Sequence, residues 1–213
     1  MSLHLATAPA VMPVTAAQVW NHLRVPLVGS PAAPADATHI AALTDAAIAL
    51  LDGRNGILGR ALCTQTWDMK LDRFPEDSFF GPISVALPPL QSVTSITYLD
   101  DAGAAQTLSS ALYQVVGVGG WDKGRIVPAY NQSWPVTRYQ PEAVTVRFVA
   151  GYGTPGASPD DTQAAVPEPI RHALLLLISH WYQNREPVTV GTIVTDTPMT
   201  VDALIAPYIV PGV

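Results

Sequence analysis

The sequence predicts an α+β protein: a helical bundle formed by N- and C-terminal helices, with an antiparallel β domain inserted between them. Three observations carry this. A long, apolar helical pattern lies between Pro169 and Pro187, shorter helical patterns precede Gly53, and at Thr64 the hydrophobic period changes from 3.6 to 2 and stays there, through short turns, as far as Ala150. The expected division is 1–63 for an N-terminal arm and helices, 64–153 for the β domain, and 154–213 for a central helix and C-terminal arm that packs with 15–63.

Residues 1–14 are apolar but broken by Pro9 and Pro13, and read as an extended arm. Thr15-Ala-Ala-Gln18 has capping-box spacing, in which each side chain satisfies the other residue's backbone N–H, so a short helix should run through Trp20 to about Arg24. Pro26 stops it, and a Pro/Gly/Ser/Ala loop extends to Pro34. Asp36 or Thr38 then offers a cap for a second helix, whose Ile40, Leu43, Ala47, Leu50 and Leu51 form one apolar stripe ending in Asp52-Gly53-Arg54-Asn55-Gly56.

Trp67, Met69 and Leu71 alternate with Thr66, Asp68, Lys70 and Asp72, which is a strand with one buried and one wet face. Further strands are expected at Ile83–Leu87, Val93–Leu99, Tyr113–Val116, Gly124–Val127 and Val144–Ala150, with Asp100-Asp101-Ala102-Gly103 as a hairpin turn. After Gly151-Tyr152-Gly153 a Pro/Ser/Asp loop leads to Ala165. Thr200 is placed to cap a last short helix, Val201 to Ala206.

The central pattern, Val166 to Glu186, has Pro169 where a missing N–H costs nothing and Pro187 where the helix cannot continue, which brackets roughly five turns. Glu168 and Arg185 both suit the helix dipole. One row carries Ile170, Leu174, Leu177 and Trp181, the next Leu175, Ile178 and Tyr182, and only a narrow strip with His172, Ser179 and Gln183 is polar. A helix apolar over most of its circumference has to pack on two sides. It is too short and too charged at its ends to span a bilayer, so no membrane partner is expected.

The 213 residues suffice for a substantial core. Cys63 is the single cysteine, which excludes an internal disulfide and a thiolate metal cage; it reads as a small buried residue near a strand start. A net charge of −6 with only 11 Lys and Arg argues against a protein that grips nucleic acid through a basic face. The low charged fraction, 13%, points to surface hidden in an assembly. No basic segment followed by an apolar core opens the chain, so no secretory signal is expected.

No convincing active site emerges. His172 and His180 are eight apart, where a zinc pair on a helix is four apart with a third ligand near, so both read as polar-strip residues. Asp100–Asp101 and Asp160–Asp161 are ordinary turn acids without a neighbouring His. Gly117-Val118-Gly119-Gly120 lacks the lysine and following helix of a phosphate loop and reads as a loop or bulge. No cofactor, metal or catalytic residue is expected. What recurs is aromatic residues beside arginine, Trp181, Tyr182 and Arg185 on the helix and Trp134, Arg138 and Tyr139 in a Pro-rich loop, the residue types of interface cores and equally of core aromatics with snorkelling arginines.

Several of these segments stand together in a familiar order. Gly59-Arg60-Ala61-Leu62-Cys63-Thr64-Gln65-Thr66-Trp67, then Leu87-Pro88-Pro89-Leu90-Gln91-Ser92-Val93, Gly124-Arg125-Ile126, Ser133-Trp134-Pro135 and Val146-Arg147-Phe148 to Gly151-Tyr152-Gly153 resemble the head-tail connector (adaptor) family of tailed bacteriophages and related gene transfer agents. The central helix and Val201-Asp202-Ala203-Leu204 to Pro207-Tyr208 are similar to the family's C-terminal segments, and the likeness covers roughly residues 15–210. The Ala/Pro insert near residues 29–35 and the isolated Cys63 depart from the pattern.

The resemblance implies a non-enzymatic ring subunit, usually in twelve copies, at the head-tail interface of a virion or phage-like particle assembled in a bacterial cytoplasm. Its implied partners are further copies of itself, the portal protein, a tail-side stopper or tail terminator, and double-stranded DNA that passes without sequence-specific binding. Twelve copies at −6 carry about −72 in formal charge, and a lumen lined with part of it would let DNA slide. The candidate subunit or portal interface is Trp134, Arg138, Trp181, Tyr182, Arg185, Leu204 and Tyr208, and the segment from Thr192 is the candidate portal-docking arm. A monomeric tail-side or capsid-binding module and, further off, a small hydrolase remain the rival classes.

Overall fold

The computed structural model describes residues 1–29, 32–75, 81–154, 156, 158–184 and 199–211. The chain is α+β, with two antiparallel sheets and a set of helices that share a separate hydrophobic core.

The helical part begins with α1 (Ala16–Leu23), where the capping box forms as its spacing requires: Gln18 N–H donates to Thr15 Oγ1 at 3.1 Å and Thr15 N–H to Gln18 Oε1 at 2.9 Å. Helix α2 (Ala37–Leu51) starts at Asp36, whose carboxylate makes no side-chain cap bond and instead accepts from the Tyr182 hydroxyl at 2.7 Å. After Ser158 comes a short helix, α3 (Pro159–Ala164), in the stretch expected to be a loop. Ser158 Oγ accepts from Asp161 N–H at 3.2 Å, and Pro159 occupies the first turn, so the local chemistry of a helix start outweighs the loop-like composition.

Helix α4 (Glu168–Gln183) is the central helix. It buries Ile170, Ala173, Leu174, Leu177 and Ile178 and packs against α1, α2 and α5 (Met199–Ile205), so its apolar circumference is covered from several sides. Helix α5 starts one residue before Thr200, which therefore sits inside it and does not cap it, and it ends in one 3-10 turn, Ala206–Tyr208. Among the described residues no helix is long and apolar enough to cross a membrane.

The larger sheet has the order β1-β2-β8-β4-β5, from β1 (Ser2–Thr7), β2 (Gln65–Leu71), β8 (Val144–Ala150), β4 (Leu90–Leu99) and β5 (Ala105–Thr107). Strand β8 lies in the middle: Met69 pairs with Val146 and Val146 with Ile96, and all three point into the core at 0% exposure. The next row outward, Asp68, Arg147 and Ser95, faces water, and Arg147 donates to both carboxylate oxygens of Asp68 at 2.7 Å. The extended arm is thus an edge strand of this sheet, and β5, entirely exposed and without apolar alternation, carries no sequence signal.

The smaller sheet has the order β3-β7-β6, from β3 (Ile83–Ser84), β7 (Arg125–Pro128) and β6 (Tyr113–Val116). The strand expected over Ile83–Leu87 keeps only two residues of regular pairing, since Leu87 takes φ +58 before the cis Pro88–Pro89 bond, although Val85 to Leu87 stay buried. A common apolar core lies between the two sheets, with Phe148, Ile96, Ile126 and Leu90 fully buried.

Sheet and helices meet along two crossings. Gly151, at φ +127, accepts a bond from Gln91 Nε2 at 3.0 Å and lies so close to the Cys63–Thr64 backbone that an added Cβ would stand 2.4 Å from Cys63 O, which is why glycine opens the Gly151-Tyr152-Gly153 motif. On the other side of the same turn Asp52 Oδ1 accepts from Leu62 N–H at 2.8 Å, both its oxygens accept from Gln65 Nε2 at 3.2 Å, and Gln65 Oε1 accepts from Trp67 Nε1 at 3.1 Å.

Candidate functional site

Asp100, His172, His180 and the Gly117 to Gly120 run all make contacts within the fold. Asp100 closes its own hairpin, accepting from Gln106 Nε2 at 2.9 Å and Ala104 N–H at 2.8 Å, and these bonds hold its carboxyl below the usual range. Asp160 and Asp161 lie in the first turn of α3, where the helix dipole favours acids. His172 faces His22 of α1 edge-on, with ring centroids 6.2 Å apart, and burial followed by the charge of His172 lowers the His22 pKa. His180 sits a turn before Asn184, whose Nδ2 donates to the His180 carbonyl at 2.9 Å. Gly117 to Gly120 form the tip between β6 and β7, tied down by Gly119 N–H donating to Leu90 O at 2.8 Å, as a loop and not a phosphate cradle.

Cys63 is buried, and burial together with the nearby Asp52 charge pushes its thiol up to about 12, which disfavours the reactive thiolate. Among the described residues no group of three His, Cys, Asp or Glu could hold a metal ion.

The aromatic–arginine candidates are not gathered into one patch. Trp134 is half-buried, stacks on Phe74 at 5.0 Å with its ring nearly parallel, and donates Nε1–H to Gly81 O at 3.0 Å, which makes it an anchor of the long β7–β8 connection. Arg138 is exposed, its N–H donating to Leu99 O at 3.0 Å and its guanidinium lying where a side chain on Gly103 would otherwise be. Trp181 and Tyr182 lean against the helical core with one side open, Tyr182 bonding Asp36 as described and facing His39 at 6.4 Å. Leu204 packs on the same core. Arg185 and the arm from Thr192 to Pro198 lie outside the described residues.

Tyr208 belongs to a cluster that residue types alone do not reveal. Arg60, only 4% exposed, donates Nε–H to Tyr208 O at 2.5 Å and holds its guanidinium 5.4 Å from the centre of the Trp121 ring. Trp121 in turn lies 5.2 Å from Tyr208, and Val210 N–H donates to Leu58 O at 2.9 Å. The Gly59-Arg60 run therefore clamps the C-terminal Pro207-Tyr208 run to the sheet tip. The sequence signal for this was available in the shared likeness of both runs to one family, but not their contact.

Among the described residues the most exposed large hydrophobic side chains are Tyr139 at 95%, Tyr130 at 89% and Val136 at 77%, all on the β7–β8 connection, with Trp121 at 58% at the opposite sheet end. Surface aromatics held on ordered backbone are what association uses.

No family model and no curated protein matches the chain. Among solved structures it is similar over 100% of its length, and over 97% of the other chain, to a chain in the neck of an empty gene transfer agent (GTA) particle computed with C6 symmetry, at TM-score 0.73 and 22% identity. A chain in the virion of a native GTA particle gives TM-score 0.72 and 23% identity, and one in the neck of a native GTA particle computed with C12 symmetry gives 0.70 and 22%, with the same coverage. Those neighbours are components of gene transfer agent particles, and the shared feature is the fold, from end to end.

Proposed function

We propose that this chain is a structural subunit of the neck of a virion or gene transfer agent, a head-tail connector (adaptor) that forms a ring below the portal, joins capsid to tail and lets DNA pass. The observation that carries the reading is the end-to-end fold likeness to chains of gene transfer agent necks, TM-score 0.70 and 0.73 over 97% of their length, with which the ordered sequence motifs accord. Necks computed with C6 and C12 symmetry favour an oligomeric ring, for which twelve copies is the proposed number.

In this reading α1, α2, α4 and α5 make a bundle into which the β part is inserted. The portal, a tail-side stopper or terminator and passing double-stranded DNA are the partners, with docking to the portal assigned to the segment from Thr192. The exposed sides of Trp181, Tyr182, Leu204 and Tyr208, together with Arg138, are offered to neighbours, whereas Trp134 serves its own sheet. A structural role accords with side chains occupied in folding contacts and a net charge of −6 that disfavours tight phosphate contact.

Cryo-electron microscopy of the particle that contains the chain tests this. Ring density directly beneath the portal is the expected result. Density elsewhere, or none in the particle, refutes it. A monomer in solution does not decide the matter, because such subunits can assemble only on docking.

A further inference from the structure

The loop that leaves α2 carries the chain's single Asn-Gly pair, Asn55-Gly56. Bonds pin the loop on both sides of that pair. Gly53 N–H donates to Arg60 O at 2.7 Å, Ile57 N–H to Leu50 O at 2.8 Å and Gly59 N–H to Gly56 O at 3.1 Å. Leu58, fully buried, accepts at its carbonyl from Val210 N–H at 2.9 Å, so the same loop holds the C-terminal run. Glycine at 56 is a packing requirement, since an added Cβ would stand 2.4 Å from Asp52 O and 2.5 Å from both Leu51 C and Leu51 O.

Asn55 has no such duty. It is exposed, and among the described residues neither its side-chain amide nor the Gly56 N–H makes a hydrogen bond. An Asn side chain folds back readily onto the backbone that follows it, and a residue without a Cβ leaves its amide nitrogen open to that approach. The other asparagines are placed differently. Asn21 lies inside α1, the Gln132 N–H after Asn131 is engaged with Ala129 O at 2.9 Å, and Asn184 precedes an arginine.

We infer that Asn55-Gly56 is a site of spontaneous covalent modification, at which the folded chain converts asparagine to isoaspartate and so loosens the loop that joins α2 to the C-terminal run. The Gly56 nitrogen attacks Asn55 Cγ: the N–Cγ bond forms, the Cγ–Nδ2 bond breaks, and Nδ2 leaves as ammonia with the Gly56 amide hydrogen. Solvent water then opens the cyclic imide. Addition at Cγ gives aspartate, whereas addition at the main-chain carbonyl carbon gives isoaspartate, whose backbone runs through Cβ and Cγ and is one carbon longer. No oxidant or reductant takes part. The extra carbon falls between the bonded positions Gly53 and Ile57, with Leu51 and Asp52 backbone atoms already against Gly56, so the strain reaches the bonds of Ile57 and Leu58. The inference concerns a single copy and is independent of the neck reading.

The test incubates the full chain at pH 8 and follows it by tryptic mass spectrometry, where cleavage after Arg54 and Arg60 isolates residues 55–60. The expected result is the mass gain of an NH2-to-OH exchange in this peptide, with isoaspartate as the main product and Asn21, Asn131 and Asn184 unchanged. Asn55→Gln alters an exposed side chain, should keep the natural urea midpoint, and should abolish the gain. The isoaspartate chain should show a lower urea midpoint, while freshly made Asn55→Asp, which has the charge without the extra carbon, should not. An Asn55 that stays intact in the folded chain after the urea-unfolded chain has converted, equal conversion of the other asparagines, aspartate without isoaspartate, or an isoaspartate chain with an unshifted midpoint would each overturn the inference.

Discussion

Replacing Gly151 with alanine should destabilise the protein by about 4 kcal/mol, and the figure follows from the local geometry. At φ +127 an L-residue is strained, and an added Cβ would stand 2.4 Å from Cys63 O, 2.5 Å from Cys63 C and 2.7 Å from Thr64 N. All three are backbone atoms, so no side-chain rotation relieves the contact. The turn itself is fixed by Gly151 N–H donating to Pro89 O at 2.9 Å, Tyr152 N–H to Leu62 O at 3.0 Å and Gln91 Nε2 to Gly151 O at 3.0 Å. Backbone strain of about 1–3 kcal/mol and overpacking of a similar size then combine. Gly119 is the internal control: its φ is +70, but nothing lies within 4 Å of an added Cβ, so Gly119→Ala should cost only about 1–2 kcal/mol. Guanidinium unfolding at 25 °C, read by tryptophan fluorescence, separates the two, and in thermal melts Gly151→Ala should lose about 8–16 °C. Equal losses for both variants would refute the close approach of the Gly151 turn to the Cys63 strand.

Three further predictions concern single side chains. Tyr182→Phe removes the hydroxyl that donates to Asp36 at 2.7 Å, and should cost about 1–2 kcal/mol by urea unfolding, a partly exposed site falling at the lower end for a bond to a charged acceptor; no change would mean the bond does not tie α4 to the start of α2. Burial pushes the Asp52 carboxyl above its ordinary 3.8, against the bonds from Leu62 N–H, Gln65 and Gly53 that pull it down. The native state therefore holds this proton more tightly than the unfolded chain. The stability Asp52 contributes is fully present below 3.8 and declines as pH rises through the folded value, so the stability of the natural chain relative to Asp52→Asn should fall with rising pH in that window and level off above it; a rise instead would contradict the burial. Cys63, with its thiol pushed up to about 12, should resist a disulfide-exchange reagent at pH 8 in the native protein and react once in denaturant, and rapid native labelling would show that the strand entrance is open.

Local chemistry was largely legible. The Thr15/Gln18 box, the period-2 runs that became β6 and β8 with the expected bounds, the Asp100 to Gly103 turn and the apolar girth of α4 all depend on residues within one or two turns of each other. What misled was composition: Ser158-Pro159-Asp160-Asp161 reads as a loop until the Ser cap is weighed, and β5, three exposed residues, has no period at all. Residue type marks aromatics as interface candidates but does not say which way a ring turns: Trp134 stacks on Phe74, while Trp121 stays half outside.

By itself the sequence determined that the chain is α+β, where its periods change, that it lacks the spacings of common catalytic motifs, and which family its ordered motifs resemble. Only the tertiary structure decided that β8 lies between β2 and β4, that the N-terminal arm becomes the sheet edge, and that Arg60 reaches across 148 residues to hold Tyr208. The physical reason is that backbone pairing and buried polar bonds join any donors and acceptors that the packed core brings together, and that meeting is set by the shape of the whole core, whereas caps, turns and hydrophobic periods are set by neighbours along the chain.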